Sequence, residues 1–130
     1  RDIRIITNAG GANPFGCRAA VEALANDLHV ADKVKVAIVS GDDLFSHIDQ
    51  LLASGEPLLN MDTGQALSEI RPRVLSANAY LGAAGIVRAL ECGANVIITG
   101  RVADAAVTLA PMMFEFGWSA TDWDRVAAGV

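Results

Sequence analysis

The sequence predicts an α/β fold: an open, mostly parallel sheet with helices on both faces, Rossmann-like in plan. Two observations carry this. Four short β-branched runs recur along the 130 residues, and segments with apolar residues at helical spacing separate them. A chain of this size buries one core, so the alternating elements must share a single layered unit, which calls for parallel strands joined by right-handed crossovers.

The first run is Ile3-Arg4-Ile5-Ile6-Thr7. A helix follows, with Asn13 as its cap, Pro14 at the favoured first position, and Cys17, Val21, Leu24 and Leu28 on one stripe. Val34-Lys35-Val36-Ala37-Ile38-Val39 is the second strand, after which Asp43 caps a stripe of Leu44, Ile48, Leu51 and Leu52 that stops at Gly55. Gly55 to Arg73 is punctuated by Pro57, Gly64 and Pro72 and reads as a long connection with one helical turn. Val74-Leu75-Ser76-Ala77 is the third expected strand. Ala83, Ile86, Val87 and Leu90 then form a helical stripe that stops at Gly93, and Val96-Ile97-Ile98-Thr99 is the fourth strand. A last stripe, Leu109, Met113 and Phe116, contains Pro111, where the helix is expected to kink or break.

Composition narrows the function. The chain is 52% apolar and 19% charged with a mean hydropathy of +0.36, which excludes disorder. No apolar run approaches the roughly 18 to 20 residues that span a bilayer. A net charge of −5 with scattered basic residues argues against nucleic acid as a partner. Cys17 and Cys92 stand far apart without metal-ligand spacing, which fits a reducing cytoplasm and suggests neither zinc nor a disulfide framework. The chain starts at Arg1 directly before a strand-like run and ends at Trp123 to Val130 in a helix-like run. The expectation is a single α/β unit over 1–130, the N-terminal fragment of a longer domain.

In an open parallel sheet, ligands bind where the strands end, because the loops converge there and helix amino ends present unpaired N–H groups. All four expected strands end in polar or glycine-rich sequence. Asn8, Gly10, Gly11 and Asn13 follow the first, Asp42 and Asp43 the second, Asn78 and Tyr80 the third, and Thr99, Gly100, Arg101 and Asp104 the fourth. The Gly10-Gly11 pair matches neither a dinucleotide fingerprint nor a phosphate-loop pattern, and no cofactor is assigned. As a tight turn it needs no ligand; as a site it brings backbone donors close to a phosphate or oxyanion. Asp42 and Asp43 could hold a divalent cation or, because adjacent carboxylates in a crevice separate their proton affinities, act as acid and base, while Asp43 also reads as a cap. Arg101 carries a guanidinium fork that fits a carboxylate or phosphate, with Asp104 placed to orient it; a surface ion pair is the plainer account. Asn78 and Tyr80 offer an amide and a phenol, unless Tyr80 serves packing. His29 and His47 read as exposed helix residues and Cys17 as a small core residue.

Met61-Asp62-Thr63-Gly64 carries the D-T-G of aspartic proteases, and Ile97-Ile98-Thr99-Gly100 mimics their later strand. Such proteases are all-β, which the helical stripes contradict, leaving Asp62 as a turn or cleft residue.

Taken in order, the strand endings resemble the acyclic terpene utilisation family AtuA. The resemblance rests on Asn8 to Pro14, Gly41-Asp42-Asp43-Leu44, Leu59 to Gly64, Ser76 to Ala83 and Thr99 to Ala106. Phe116-Gly117-Trp118 and Trp123-Asp124 extend it over nearly the whole chain. It implies the N-terminal portion of a longer protein in the bacterial catabolism of acyclic terpenes such as citronellol and geraniol, in operons that also encode acyl-CoA carboxylation. That is a pathway and not a reaction. Together with the polar strand endings it points to an enzyme acting on a small-molecule substrate, a branched acid or its acyl-CoA ester. Arg101 would hold an anion, Asp42 or Asp104 would move a proton, and the Gly10-Gly11 amides would stabilise an oxyanion. The remaining named residues would bind substrate, and none is assigned to a metal. The alternative is a non-catalytic small-molecule-binding or assembly subunit of a degradation complex. Neither nucleic acid nor membrane is a partner on this reading, and a homo-oligomer is compatible with it.

Overall fold

The computed structural model describes residues 3–130 and contains one three-stranded sheet, all parallel. β1 (Ile5–Thr7) and β2 (Val36–Val39) flank β3 (Val96–Thr99), with Ile5 opposite Val96 on one side and Val36 opposite Val96 on the other. Six α-helices among the described residues surround it: α1 (Pro14–Asp27), α2 (Ile48–Ala53), α3 (Leu67–Ile70), α4 (Ala84–Glu91), α5 (Ala106–Phe116) and α6 (Trp123–Ala128). The expected α/β class with a parallel sheet is what the chain adopts.

Helices cover both faces because successive residues of β3 point to opposite sides. Ile97 packs in a core with Ile86, Ala89 and Leu90 of α4 and Ala106 and Ala110 of α5. Ile98 lies on the other side, against Gly10 in the loop that leads into α1. Ile86, Ile97, Ile98 and Thr99 are completely buried. The α4 stripe faces the core as its spacing predicts, and Gly55 and Gly93 end α2 and α4 at positive φ.

Four expectations need correction. Val74-Leu75-Ser76-Ala77 does not join the sheet. It opens a strap of extended chain, residues 74–82, laid across the carboxyl ends of β2 and β3. Leu44 N–H donates to the Ala77 carbonyl at 2.8 Å, Ala79 N–H to the Asp42 carbonyl at 2.7 Å, and Leu81 N–H to the Arg101 carbonyl at 3.1 Å. On α1, the side turned to the sheet carries Pro14, Cys17, Val21 and Ala25, while Leu24 and Leu28 are exposed. The smaller side chains let the helix approach β2 and β3 closely. α5 runs unbroken through Pro111. The proline removes one N–H donor, but Leu109, Ala110 and Met113 are buried on either side of it, and their packing holds the helix. Phe116 leaves the expected stripe for the surface, where it stacks on Trp118 with ring centroids 5.6 Å apart.

The connection from Gly55 to Arg73 contains the one helical turn expected of it, α3, followed by a 3-10 turn at Arg71–Arg73. Asp62 sits in an exposed turn, its N–H donating to Asn60 Oδ1 at 2.9 Å. The protease-like tripeptide is therefore turn chemistry in an α/β chain. His29 and His47 are exposed; His29 lies just beyond α1, and His47 closes the 3-10 turn Phe45–His47 ahead of α2. Among the described residues, no helix is long and apolar enough to cross a membrane.

Candidate functional site

Two adjoining cavities open at the carboxyl end of the sheet. The larger, about 450 Å³, is lined by the start of α1, the loop after β2, the strap and Arg101. The smaller, about 300 Å³, is lined by Asn8, Gly11, Tyr80, Gly100, Arg101, Val102 and Asp104. Gly11 and Arg101 belong to both walls. Among the described residues no carboxylate pairs with the Arg101 side chain, which leaves its fork available to a ligand.

The loop after β1 is shaped by a close approach. Gly10 is buried, and a side chain there would strike the Thr99 carbonyl, so the backbones of β1 and β3 converge beneath the crevice. Gly11 takes φ +43° and donates its N–H to the Asn8 carbonyl at 3.2 Å. That donor is engaged inside its own turn, so the expected pair of glycine amides does not form a free oxyanion cradle. Asn13 is the predicted cap, accepting from Gly16 N–H at 2.9 Å. Capping directs α1, a helix of 14 residues, with its amino end toward the larger cavity, where the helix dipole favours an anion.

The two adjacent aspartates part company. Asp43 is exposed and accepts from Phe45 N–H at 2.9 Å, a local turn one residue ahead of the position that caps Phe45–His47, so it does not cap α2 as its spacing led us to expect. Asp42 is 4% exposed. Its Oδ2 accepts from Asn78 Nδ2 at 3.1 Å and from the Arg101 backbone N–H at 2.8 Å. Thr99 is completely buried below the floor, its hydroxyl donating to the Gly100 carbonyl at 3.0 Å, and it lines neither cavity. Asn78 and Tyr80 are exposed; Tyr80 borders the smaller cavity and does not pack into the core.

Asp104 does not orient Arg101, as its spacing led us to expect. It faces Asn8 across the smaller cavity, with Asn8 Nδ2 at 3.5 Å from Asp104 Oδ1, the outer limit of a hydrogen bond. The crevice thus gathers residues from all four predicted endings, although one of those endings belongs to no strand.

Sequence reading missed the apolar rim. Phe15, Phe45 and Leu75 border the larger cavity, and Leu75 is 91% exposed. Phe15 and Phe45 lie two residues after Asn13 and Asp43, and Leu75 three before Asn78; the signal was an apolar side chain near a polar turn. Ser40 and Ser76 complete the polar lining.

No curated protein and no solved structure matches the chain. The model of the acyclic terpene utilisation family protein AtuA matches residues 1–130. The strand endings that form the crevice are the same runs that carry the resemblance, and the chain belongs to the AtuA family.

Proposed function

We propose that the crevice binds a branched carboxylic acid or its acyl-CoA ester and that the protein acts on it as an enzyme of acyclic terpene catabolism. The observation that carries this reading is Arg101, a guanidinium without a carboxylate partner among the described residues, standing between two cavities. It would hold the carboxylate or a phosphate, aided by the amino end of α1. The rim of Phe15, Phe45 and Leu75 would take the apolar chain. Asp104, exposed in the smaller cavity beside Asn8, is placed to exchange a proton with bound substrate. Tyr80 and Gly100 border that cavity, Asn78 and Asp43 the larger. We read residues 1–130 as one α/β unit working in the cytoplasm, in keeping with the free thiols of Cys17 and Cys92.

The test is calorimetric binding of isovaleryl-CoA, a branched acyl-CoA, to the full chain and to Arg101→Ala. Loss of a charge-assisted anchor costs roughly tenfold or more in affinity. Equal affinity in both proteins refutes the reading. Binding that depends on Arg101, with no turnover of any branched acyl-CoA or free acid, supports a non-catalytic binding or assembly subunit instead.

A further inference from the structure

Asp42 is a buried carboxylate, and a buried charge is retained only where hydrogen bonds replace its lost water. Its partners belong to different parts of the chain. Asn78 lies 36 residues away on the strap, and the Arg101 N–H lies 59 residues away after β3. The Asp42 main chain adds a third link, its carbonyl accepting from Ala79 N–H at 2.7 Å. The fit leaves no room for change, because the carboxylate occupies the space that any side chain at Gly100 would need. One residue therefore joins the loops after β2 and β3 to the strap. It grips the backbone of Arg101, which lines both cavities.

We infer that Asp42 is a positioning residue: its carboxylate clasps the Arg101 backbone and Asn78, setting the guanidinium between the cavities, and it does not carry the proton. This rests on the anion-binding role of Arg101 proposed above. Asp104 is then the carboxylate left for proton exchange, since Asp42 is buried and its hydrogen bonds tie it to the Arg101 backbone and to Asn78.

The experiment is a double-mutant cycle on the full chain, reading isovaleryl-CoA affinity for Asp42→Ala, Asn78→Ala, Arg101→Ala and each clasp variant combined with Arg101→Ala. Each clasp variant is expected to bind about tenfold more weakly, and to lose nothing further once Arg101 is replaced. A residue that only supports the fold would give losses that add to that of Arg101→Ala, and a proton carrier would leave affinity unchanged. Either result overturns the inference while the reading of Arg101 stands. Unaltered affinity in Arg101→Ala itself removes the reading and the inference together. Circular dichroism checks that each variant is folded. Should Asp42→Ala fail to fold, Asn78→Ala decides the outcome, because Asn78 is exposed and its loss opens the same clasp from the strap.

Discussion

In β3, Ile97, Ile98 and Thr99 are fully buried, whereas every residue from Gly55 to Gln65 is exposed, Met61 completely. The first region is held by apolar burial on both faces. The second satisfies its own backbone: Asn60 Oδ1 accepts from Asp62 and Thr63 N–H at 2.9 and 2.8 Å, and Asn60 N–H donates to the Gln65 carbonyl at 2.8 Å. Exposed chain with few apolar contacts keeps its shape only through such local bonds. The difference shows how the crevice is made. Its floor, at Gly100 and Arg101, continues from the most buried strand. Its rim is reached from the exposed connection, where Arg71 pairs with Asp49 at 2.8 Å and stacks over Phe45, its guanidinium carbon 5.1 Å from the ring centre.

Three perturbations sharpen that contrast. Ile97→Ala, at the centre of the core, is expected to cost about 2 to 5 kcal/mol, measured by urea denaturation. A Met61→Ala control should stay within about 0.5 kcal/mol. Comparable losses at the two sites would remove the distinction between the regions. Gly10→Ala comes next, at about 1 to 3 kcal/mol, because its new methyl group meets the Thr99 carbonyl and the side chains of Ile98 and Pro14. An unchanged thermal midpoint would show that the two backbones can separate without cost.

The smallest effect belongs to Asp49. Its hydrogen bonds from Arg71 hold the carboxyl below the ordinary carboxylate range, and the same pairing raises Arg71. A carboxyl with a lowered pKa in the folded chain contributes stability above its unfolded pKa and loses it as pH falls through the folded value. Both groups face solvent, so the contribution is small and screened by salt. The midpoint difference between the native chain and Asp49→Asn should therefore be present at neutral pH and vanish in acid below the carboxylate range. A difference that persists there would mean the ion pair is not its source.

What the sequence disclosed follows the same division. The strands that became β1, β2 and β3, the α4 stripe and the Asn13 cap were legible, because each is written in local periodicity or capping chemistry. Val74-Leu75-Ser76-Ala77 was not, since a short apolar run looks alike in a sheet and in a strap, and its distant partner is Leu44, more than thirty residues away. On α1, Leu24 and Leu28 outweigh Ala25 in hydrophobicity, yet close packing on the sheet selected the smaller side chain. The polar residues of the crevice were named because they follow strands. The burial of Asp42, the turn-bound amide of Gly11 and the separation of Asp104 from Arg101 depend on how distant loops meet, and no spacing encodes that.

The position of β3 between β1 and β2 also governs how the chain must be born. β1 and β2 have no sheet partner in each other, and Ile5 finds Val96 only after ninety further residues have been made. While a ribosome extends the chain, both strands therefore wait with open edges, and the sheet closes in one late insertion. Until Val96 to Thr99 emerge, the nascent chain exposes the surface that becomes its core, and it is in that interval that it most needs protection from association.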